Sequence, residues 1–318
     1  MKILVTGGAG FIGSHLVDAL VREGHAVSVL DNLSTGHLDN LDDVASRIEF
    51  TDGDCADPAV AARAVRGVEV VFHEAALPSV ARSVSDPLLS HRSGPTAVLS
   101  MLVAARDAGV RRFIYAGSSS VYGSNEALPK REDMAPAPRS PYAAGKLLGE
   151  IYVSLFAQLY AMQTLTLRYF NVFGPRQDGA SEYSGVISRY VSAVLDAEDP
   201  VVFGDGRQSR DFTYIDNTIA ANLLALHATP LAGQVVNVAT GRRVSLLDLI
   251  DALARQAGRA LIVHHQPERA GDVRHSLADL TKAGELLGYQ PSVDFETGLE
   301  RTVAWQRETR AVLRRVAS

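Results

Sequence analysis

The chain has a single cysteine, Cys55, among its 318 residues, which excludes an intrachain disulfide. A lone thiol is typical of a protein from a reducing compartment. No apolar run approaches the roughly 18 residues that a transmembrane helix needs. A strand-like segment begins at residue 2 and leaves no room for the charged and apolar regions of a secretory leader. These absences predict a cytoplasmic protein.

Clusters of positive charge are also lacking. The 31 lysines and arginines are outnumbered by 36 acidic residues, and no stretch concentrates enough basic side chains to follow a nucleic-acid backbone. His264 and His265 end a strand-like run with no acid or cysteine at ligand spacing. Neither nucleic acid nor a metal ion is therefore an expected partner.

Short β-branched segments alternate regularly with longer helical ones. The segments "KILVT", "AVSVLD" and "RRFIYAGS" are separated by stretches such as "IGSHLVDALVREG". The pattern predicts an α/β fold with a Rossmann-like, doubly wound parallel sheet. Longer loops interrupt shorter helices from about residue 170. We therefore predict a first domain over residues 1–169 and a smaller α/β lobe over residues 170–318, interleaved with the first.

A glycine-rich segment, "ILVTGGAGFIGSHL", passes from strand to turn to helix, as a dinucleotide-binding loop must. Gly7 permits the tight turn, Gly10 allows the backbone to approach a diphosphate, and Gly13 allows the helix to pack close to the strand. The diphosphate would then lie at a helix N-terminus, where free N–H groups favour an anion. A plain tight turn is the alternative.

Two acidic residues follow the next two strands. Asp31 stands 18 positions after Gly13, where a carboxylate accepts hydrogen bonds from an adenosine ribose. It would repel a 2′-phosphate, and no arginine follows it directly, so we expect NAD rather than NADP. Asp54, with Cys55 beside it, is placed to reach the adenine edge, although an ordinary strand-end turn explains it too.

A tyrosine and a lysine stand four positions apart in "SPYAAGKL". On a helix, Tyr142 and Lys146 would share a face. The ammonium, together with the positive charge of an oxidised nicotinamide, would favour the phenolate over a phenol of pKa about 10. Ser118 lies at the end of a predicted strand, where α/β sheets bind ligands, and would contact the same substrate hydroxyl. A surface pair is the alternative for Tyr142 and Lys146.

The chain resembles the extended short-chain dehydrogenases/reductases of the nucleotide-sugar epimerase and dehydratase group, closest to the UDP-hexose 4-epimerases. The matching motifs are "TGGAGFIG", "HEAA", "SSSVYG", "YAAGK", "RYFNVFGPRQ", "SRDFTYIDN" and "GDVRHSLADLTKA". The resemblance implies an NAD-binding domain over residues 1–169 and a UDP-sugar-binding lobe over residues 170–318. It implies these NAD contacts: Gly7, Gly10, Phe11, Ile12, Gly13, Asp31, Asn32, Asp54, Cys55, Ala75, Ala76, Tyr142 and Lys146.

The same resemblance implies the reaction. Tyr142 would take the proton of the sugar's 4-hydroxyl while hydride passes to NAD, and hydride would return to the other face of the 4-keto sugar. Related dehydratases carry Asp-Glu after the catalytic serine, whereas this chain has Ser119 and Ser120. We therefore expect inversion at C4 rather than elimination of water. The residues implied for substrate are Ser79, Ser118, Ser120, Tyr142, Asn171, Val186, Phe203, Arg210, Arg269, Asp272 and Ser276.

Within this set, individual roles are implied for a few residues. Arg210 and Arg269 match arginines that clamp the diphosphate, Phe203 matches an aromatic beside the uracil, and Asp272 matches a carboxylate on the ribose. Asn171 matches an asparagine of hexose epimerases, where uronate epimerases tend to carry threonine.

Ser276 aligns with the position that gates the pocket near the sugar's C2 substituent. A tyrosine there would restrict the site to plain hexoses, whereas serine leaves room for an N-acetyl group. The resemblance thus predicts UDP-GlcNAc/UDP-GalNAc interconversion alongside UDP-Glc/UDP-Gal. UDP-glucuronate 4-epimerisation is an alternative, and a catalytically silent, NAD-binding regulatory protein is an alternative of another class.

Two further expectations concern helices. The helix after Tyr142 has more apolar surface than one core face needs, and "VLSMLVAA" is equally apolar, so we expect a homodimer built from two helices per subunit. Gly94 stands just before that second helix, where many relatives have an asparagine that supports the active site.

Overall fold

A computed structural model describes residues 1–177, 185–268 and 273–316. The strands in this part of the chain are β1 (Lys2–Thr6), β2 (Ala26–Asp31), β3 (Ile48–Asp52), β4 (Val70–His73), β5 (Arg112–Ser118), β6 (Gln163–Tyr169), β7 (Val172–Phe173), β8 (Val201–Phe203), β9 (Ser209–Arg210), β10 (Thr213–Tyr214), β11 (Gln234–Val238), β12 (Val244–Ser245) and β13 (His264–Gln266).

Helices connect most of these strands. They are α1 (Phe11–Arg22), α2 (Pro58–Ala64), α3 (Val80–Ser85), α4 (Pro87–His91), α5 (Ala97–Asp107), α6 (Pro141–Tyr160), α7 (Val186–Leu195), α8 (Ile215–His227), α9 (Leu246–Ala257), α10 (Thr281–Leu287) and α11 (Phe295–Val316). Short 3₁₀ segments cover Leu38–Arg47 and Ser119–Tyr122, and a π-helical turn covers Arg92–Thr96. None of the helices described is long and apolar enough to cross a bilayer.

Seven of the strands form one sheet in the order β11-β6-β5-β4-β1-β2-β3. Every pairing in it is parallel, which confirms the predicted α/β fold with a doubly wound sheet. The order in which successive strands are added to the sheet reverses between β1 and β4, since β2 and β3 extend the sheet beyond β1 and β5 and β6 extend it beyond β4. The connections that follow β1 and β4 therefore run over opposite faces of the sheet. That switch point opens a crevice at the carboxyl ends of the strands, where α/β proteins bind ligands.

The smaller lobe consists of three two-stranded ladders and the helices around them. β7 pairs with β10 and β8 with β13 in parallel, while β12 pairs with β9 in antiparallel orientation. β11 belongs to the large sheet although it lies well beyond residue 170. The chain therefore returns to the first unit after leaving it, and the division at residue 169 stays a prediction.

Apolar layers cover both faces of the large sheet. Leu16 and Leu20 of α1 belong to a cluster on one face, and Met101 and Leu102 of α5 belong to a cluster on the other. All four side chains are buried. Because both faces are covered, the sheet holds its carboxyl edge rigidly, and the residues at that edge are well positioned.

Local sequence determines where α6 begins. The Ser140 side chain accepts a hydrogen bond from the Ala143 N–H at 3.1 Å, and Pro141 occupies the first helical position, where its missing N–H costs nothing. The helix ends at Ala161, which has a left-handed backbone. This start places Tyr142 in the first turn and Lys146 one turn later.

Candidate functional site

A cavity of about 1280 Å³ lies at the carboxyl edge of the large sheet. The glycine loop and the ends of β2, β4, β5 and β6 line one side of it, and residues of the smaller lobe line the other. The predicted residues that the structure brings together on its wall are Gly7, Gly10, Phe11, Ile12, Gly13, Asp31, Asn32, Asp54, Cys55, Ala75, Ala76, Ser79, Ser118, Ser120, Tyr142, Lys146, Asn171, Arg210 and Ser276.

The glycine loop is too tight for side chains. Gly7 has a φ of +69°, and its N–H donates to the Leu30 carbonyl at 2.8 Å. A Cβ on Gly7 would lie 2.7 Å from the Ala75 backbone, and a Cβ on Gly13 would lie 2.1 Å from the Gly7 carbonyl oxygen. A plain tight turn would not need glycine at both positions, so the close approach of backbone to backbone favours a ligand-binding loop.

The first turn of α1 fits an anion. No side chain caps the helix at Gly10, and the first turn contains no acidic residue. The N-terminal N–H groups and the helix dipole therefore face the cavity between Gly10 and Gly13, beside Phe11 and Ile12. A dinucleotide's diphosphate matches this cradle in charge and size.

Asp31 ends β2 and is buried at the cavity wall. One carboxylate oxygen accepts from the Ala9 N–H at 2.9 Å and the other from the Leu33 N–H at 2.8 Å. A carboxylate has lone pairs for about four hydrogen bonds, so acceptor capacity for ribose hydroxyls remains. Asn32, also at the wall, accepts from the Ser34 N–H at 3.1 Å and shapes the turn after β2.

Asp54 combines a turn with an ion pair. Its Oδ1 accepts from the Ala56 N–H at 2.8 Å, as in the ordinary strand-end turn, and its Oδ2 lies 3.1 Å from the Arg92 guanidinium. Cys55 is buried next to it, and burial raises the pKa of the thiol to about 12. The thiol is therefore neutral, and any contact it makes with a nucleotide is one of packing.

Ser118 is the centre of a hydroxyl cluster. Its Oγ accepts from the Ser120 hydroxyl at 2.9 Å and from the Ser120 N–H at 3.2 Å, so Ser120 is a turn residue that also orients the serine. Tyr142 lies on the same cavity wall, and the Ser118 hydroxyl lowers the pKa of its phenol. Ser118, Tyr142 and Lys146, which the sequence predicts to act together, thus all lie on the wall of this cavity.

Lys146 is buried, with 6% of the residue exposed. Its Nζ donates to the Ala116 carbonyl at 2.7 Å and lies 6.0 Å from the Tyr142 ring centre. Burial lowers the pKa of Lys146 to about 8, while the charges of Glu74 and Glu150 act in the opposite direction. A buried lysine held this way is not a snorkelling surface residue, so the surface-pair alternative is wrong.

The pKa of Tyr142 shifts opposite to the direction predicted from Lys146. Burial raises it above the ordinary value, and the Ser118 hydrogen bond only partly offsets this. The lysine is too far from the ring, and too engaged with Ala116, to reverse the effect of desolvation by itself. The positive charge of an oxidised nicotinamide, which the prediction included, favours the phenolate.

Asp211 organises the side of the cavity that the smaller lobe lines. This buried carboxylate accepts from the Thr240 N–H at 2.9 Å, the Gly241 N–H at 3.0 Å and the Ala278 N–H at 3.2 Å. It therefore ties together the segments that carry Arg210 and Ser276. Asn171 joins the same group, since its amide donates to the Asp211 carbonyl at 3.2 Å.

Ser79 lies at the cavity wall and caps α3 by accepting from the Arg82 N–H at 3.0 Å. Other predicted substrate residues lie away from the wall or outside the described residues. Val186 and Phe203 are not found among the described residues of the cavity wall, and their contact with substrate stays a prediction. Arg269 and Asp272 lie outside the described residues.

The cavity wall also contains charged residues that sequence reasoning missed. They are Glu74, Lys130, Arg139 and Arg176. Glu74 had a visible signal, because "HEAA" places an acid directly after a predicted strand at the ligand edge. Lys130 and Arg139 lie in a loop without periodicity, so only the folded chain shows where they point.

Comparison with known proteins gives consistent matches over nearly the whole chain. A model of the NAD dependent epimerase/dehydratase family matches residues 3–239. A UDP-glucose 4-epimerase of Mycolicibacterium smegmatis is 40% identical over 311 residues, covering 96% of this chain and 99% of that protein.

Two solved structures are similarly close. One is a UDP-glucose 4-epimerase from Thermotoga maritima with UDP-glucose, with a TM-score of 0.93, 39% identity and coverage of 97% of this chain and 99% of that one. The other is a UDP-N-acetylglucosamine 4-epimerase from Methanobrevibacter ruminantium in complex with UDP-N-acetylmuramic acid, with a TM-score of 0.93, 38% identity and coverage of 97% and 98%. The matches agree on 4-epimerisation of UDP-sugars and differ in the sugar.

The glycine cradle yields a direct test. Gly13→Ala should weaken NAD binding by at least about tenfold, because the new methyl group would overlap the Gly7 carbonyl and push α1 away from the diphosphate. Isothermal titration with NAD measures the change. Gly284→Ala in α10, away from the cavity wall, is the matched control, since a Cβ there meets only the Tyr289 carbonyl oxygen at 3.9 Å. Equal affinity in wild type and Gly13→Ala would refute the proposed cradle.

Proposed function

Because the chain belongs to the NAD dependent epimerase/dehydratase family and is a UDP-sugar 4-epimerase-like enzyme, we propose that it inverts C4 of UDP-hexoses. The proposed substrate pairs are UDP-GlcNAc/UDP-GalNAc and UDP-Glc/UDP-Gal. The observation that carries the proposal is that Tyr142, Ser118 and the buried Lys146 lie on the wall of the same cavity as the glycine loop.

NAD, the family's cofactor, supplies a hydride acceptor and donor when bound. The chain's own part of the reaction is the proton. Tyr142 removes the proton from the 4-hydroxyl as the carbon is oxidised and gives it back when the 4-keto sugar is reduced from the other face. Ser118, whose Oγ is oriented by the Ser120 hydroxyl, would hold the reacting hydroxyl in line.

Lys146 supplies charge rather than a proton. Burial raises the pKa of the phenol, so the reaction needs nearby positive charge to make the phenolate accessible. The anchored ammonium contributes part of that charge without moving, since the Ala116 carbonyl fixes its position. Preorganised charge of this kind needs no rearrangement when the proton moves.

Several features support epimerisation over elimination of water. Ser119 and Ser120 occupy the positions that related dehydratases fill with acids, and the Ser120 hydroxyl is committed to Ser118. Neither residue is an acid that could protonate a departing hydroxyl group. The 4-keto sugar then has reduction as its route forward.

Ser276 supports the acetylated pair. It lies at the cavity wall, 9% exposed, and its N–H donates to the Ser209 carbonyl at 3.0 Å, which fixes the backbone at this point. The small side chain leaves space toward the cavity that a tyrosine would fill. UDP-glucuronate is the less favoured substrate, because Asn171 rather than threonine stands in "RYFNVFG".

The central test replaces the proposed base. Tyr142→Phe should lower epimerisation by at least about a hundredfold while leaving nucleotide binding nearly unchanged, because only the transferable proton is lost. The assay incubates enzyme separately with UDP-Glc, UDP-GlcNAc and UDP-GlcA and detects C4 epimers by NMR. Tyr160→Phe, at the far end of α6, is the control. Full activity of Tyr142→Phe would refute the assigned base, and absence of any epimer with wild type would favour the regulatory alternative.

The substrate range is tested by a substitution at Ser276. Ser276→Tyr should reduce turnover of UDP-GlcNAc by at least about tenfold with little effect on UDP-Glc, because the ring would occupy the space of the acetyl group. Rates on both sugars are measured by the same NMR assay. Ser276→Ala should retain both activities, and an equal loss on both sugars in Ser276→Tyr would count against a gate.

We also propose that two copies of the chain associate through α6 and α5. On α6, the apolar side chains of Ile151, Leu155, Leu159 and Tyr160 are exposed, although such surface is costly in water. Leu99 and Val103 of α5 are only half-buried. A two-fold pairing of these helices would cover one continuous apolar surface.

Light scattering after size exclusion tests the dimer. Wild type at micromolar concentration should have the mass of two chains, and Leu155→Glu should shift it to one, because the charge would be buried in the interface. Leu155 is 38% exposed, and Leu224 of α8, 37% exposed, provides the matched Leu→Glu control. A monomeric wild type would overturn the proposal.

A further inference from the structure

Glu74 is an acid in the active-site cavity to which the mechanism above assigns no task. It follows β4 directly and lines the cavity with Ser118, Tyr142 and Lys146. Its Oε1 accepts a hydrogen bond from the Tyr169 hydroxyl at 2.9 Å. A carboxylate this close to a catalytic cation and phenol affects the charges of both.

The hydrogen bonds around Tyr169 favour an ionised Glu74. The Asn222 amide donates to the Tyr169 hydroxyl at 2.8 Å and to the Thr218 carbonyl at 2.9 Å. The Tyr169 proton has two acceptors within reach, Glu74 Oε1 at 2.9 Å and Asn222 Oδ1 at 3.1 Å, and the nearer one, Glu74, accepts best as a carboxylate. Tyr169 also pairs in register with Ser118, so Glu74 holds a residue that neighbours the catalytic serine on the sheet.

Several groups of different charge surround Lys146. The Tyr115 ring of β5 lies 5.0 Å from Nζ and the Tyr142 ring 6.0 Å away. His73 of β4 is neutral, because burial lowers its pKa to about 3. The two acids that act on the ammonium are Glu150, one turn further along α6, and Glu74.

These two acids are not equivalent. Glu150 is held by the Arg168 guanidinium in a buried, two-pronged ion pair with contacts of 3.0 and 2.7 Å, which neutralises most of its effect on Lys146. Among the described residues, no arginine contacts Glu74. Its charge is therefore the more effective of the two at the lysine.

The protonation of the pair is mutually dependent. Burial raises the pKa of Glu74 to about 7, and this value already includes the opposing effects of the Tyr169 hydrogen bond and the Lys146 charge. Burial lowers the pKa of Lys146 to about 8, and Glu74 opposes that fall. Each group thus stabilises the charged form of the other near neutral pH.

We propose that Glu74 is a positioning residue of the active site, whose carboxylate holds Tyr169 and supplies the counter-charge that keeps Lys146 an ammonium. This inference deepens the proposed function. Only its activity test depends on that function, because the lysine titration uses no substrate. Glu74→Gln is the informative variant, because the amide oxygen still accepts from Tyr169 while the charge is gone.

Titration of the lysines by NMR tests the charge without any substrate. The chain has four lysines, Lys2, Lys130, Lys146 and Lys282, so isotope-labelled side chains give a simple spectrum, and Lys146→Met assigns the signal. In Glu74→Gln the pKa of Lys146 should fall by about one unit relative to wild type. Glu300→Gln, which removes an exposed acid from α11, should leave the pKa of Lys146 unchanged. An unchanged Lys146 titration in Glu74→Gln would overturn the proposal.

The pH dependence of turnover provides the second readout. Without Glu74, the ammonium is lost at lower pH, so Glu74→Gln should match wild type near pH 6 and be about eightfold slower at pH 8.5. A loss of equal size at every pH would indicate a structural role and contradict the proposal. Glu74→Asp, which keeps the charge, should retain the wild-type alkaline limb, and its failure to do so would also count against the charge.

The two proposals fail in different ways. If wild type epimerises none of the UDP-sugars, the proposed function is wrong, and the lysine titration still decides the coupling of Glu74 to Lys146. If wild type is active but its Lys146 titrates as it does in Glu74→Gln, the function stands and the role of Glu74 is wrong.

Discussion

Parallel pairing of β1, β4, β5 and β6 brings the carboxyl ends of four strands to one edge of the sheet, and the active site depends on that edge. Gly7 follows β1, Glu74 follows β4, Ser118 ends β5 and Tyr169 ends β6. Because both faces of the sheet are covered by helices, these positions cannot move independently. The close approach of Gly13 to the Gly7 carbonyl then fixes the first helix against the same edge.

Burial controls the electrostatics of this site. Desolvation raises the pKa values of Tyr142 and Glu74 and lowers that of Lys146, so every ionisable group in the catalytic cluster is pushed toward its neutral form. Paired charges restore the ionised forms where chemistry needs them. The buried Arg168–Glu150 pair is also ionised and held by hydrogen bonds, but it serves the structure and takes no part in proton transfer.

The segments of the smaller lobe that line the cavity are joined by a buried carboxylate. Asp211 accepts hydrogen bonds from Thr240, Gly241 and Ala278, and so joins segments that are far apart in the chain. Arg210 and Ser276 come to the same cavity as a consequence. β11, which comes after residue 170 in the chain, lies in the large sheet, so the described segments on both sides of residue 170 contribute to one sheet and one cavity.

The sequence by itself determined the α/β class and the alternation of strands and helices, and it predicted that the glycine turn, Tyr142, Lys146 and Ser118 would meet at one cavity, because each is encoded in short-range spacing and in motifs. Only the tertiary structure decided that Lys146 is buried, that burial moves the pKa of Tyr142 upward, and that Glu74 and Arg139 line the cavity. The reason is physical: desolvation and ion pairing depend on which distant segments pack around a side chain. Spacing along the chain does not contain that information. It becomes available only when the register between strands has brought those distant segments together.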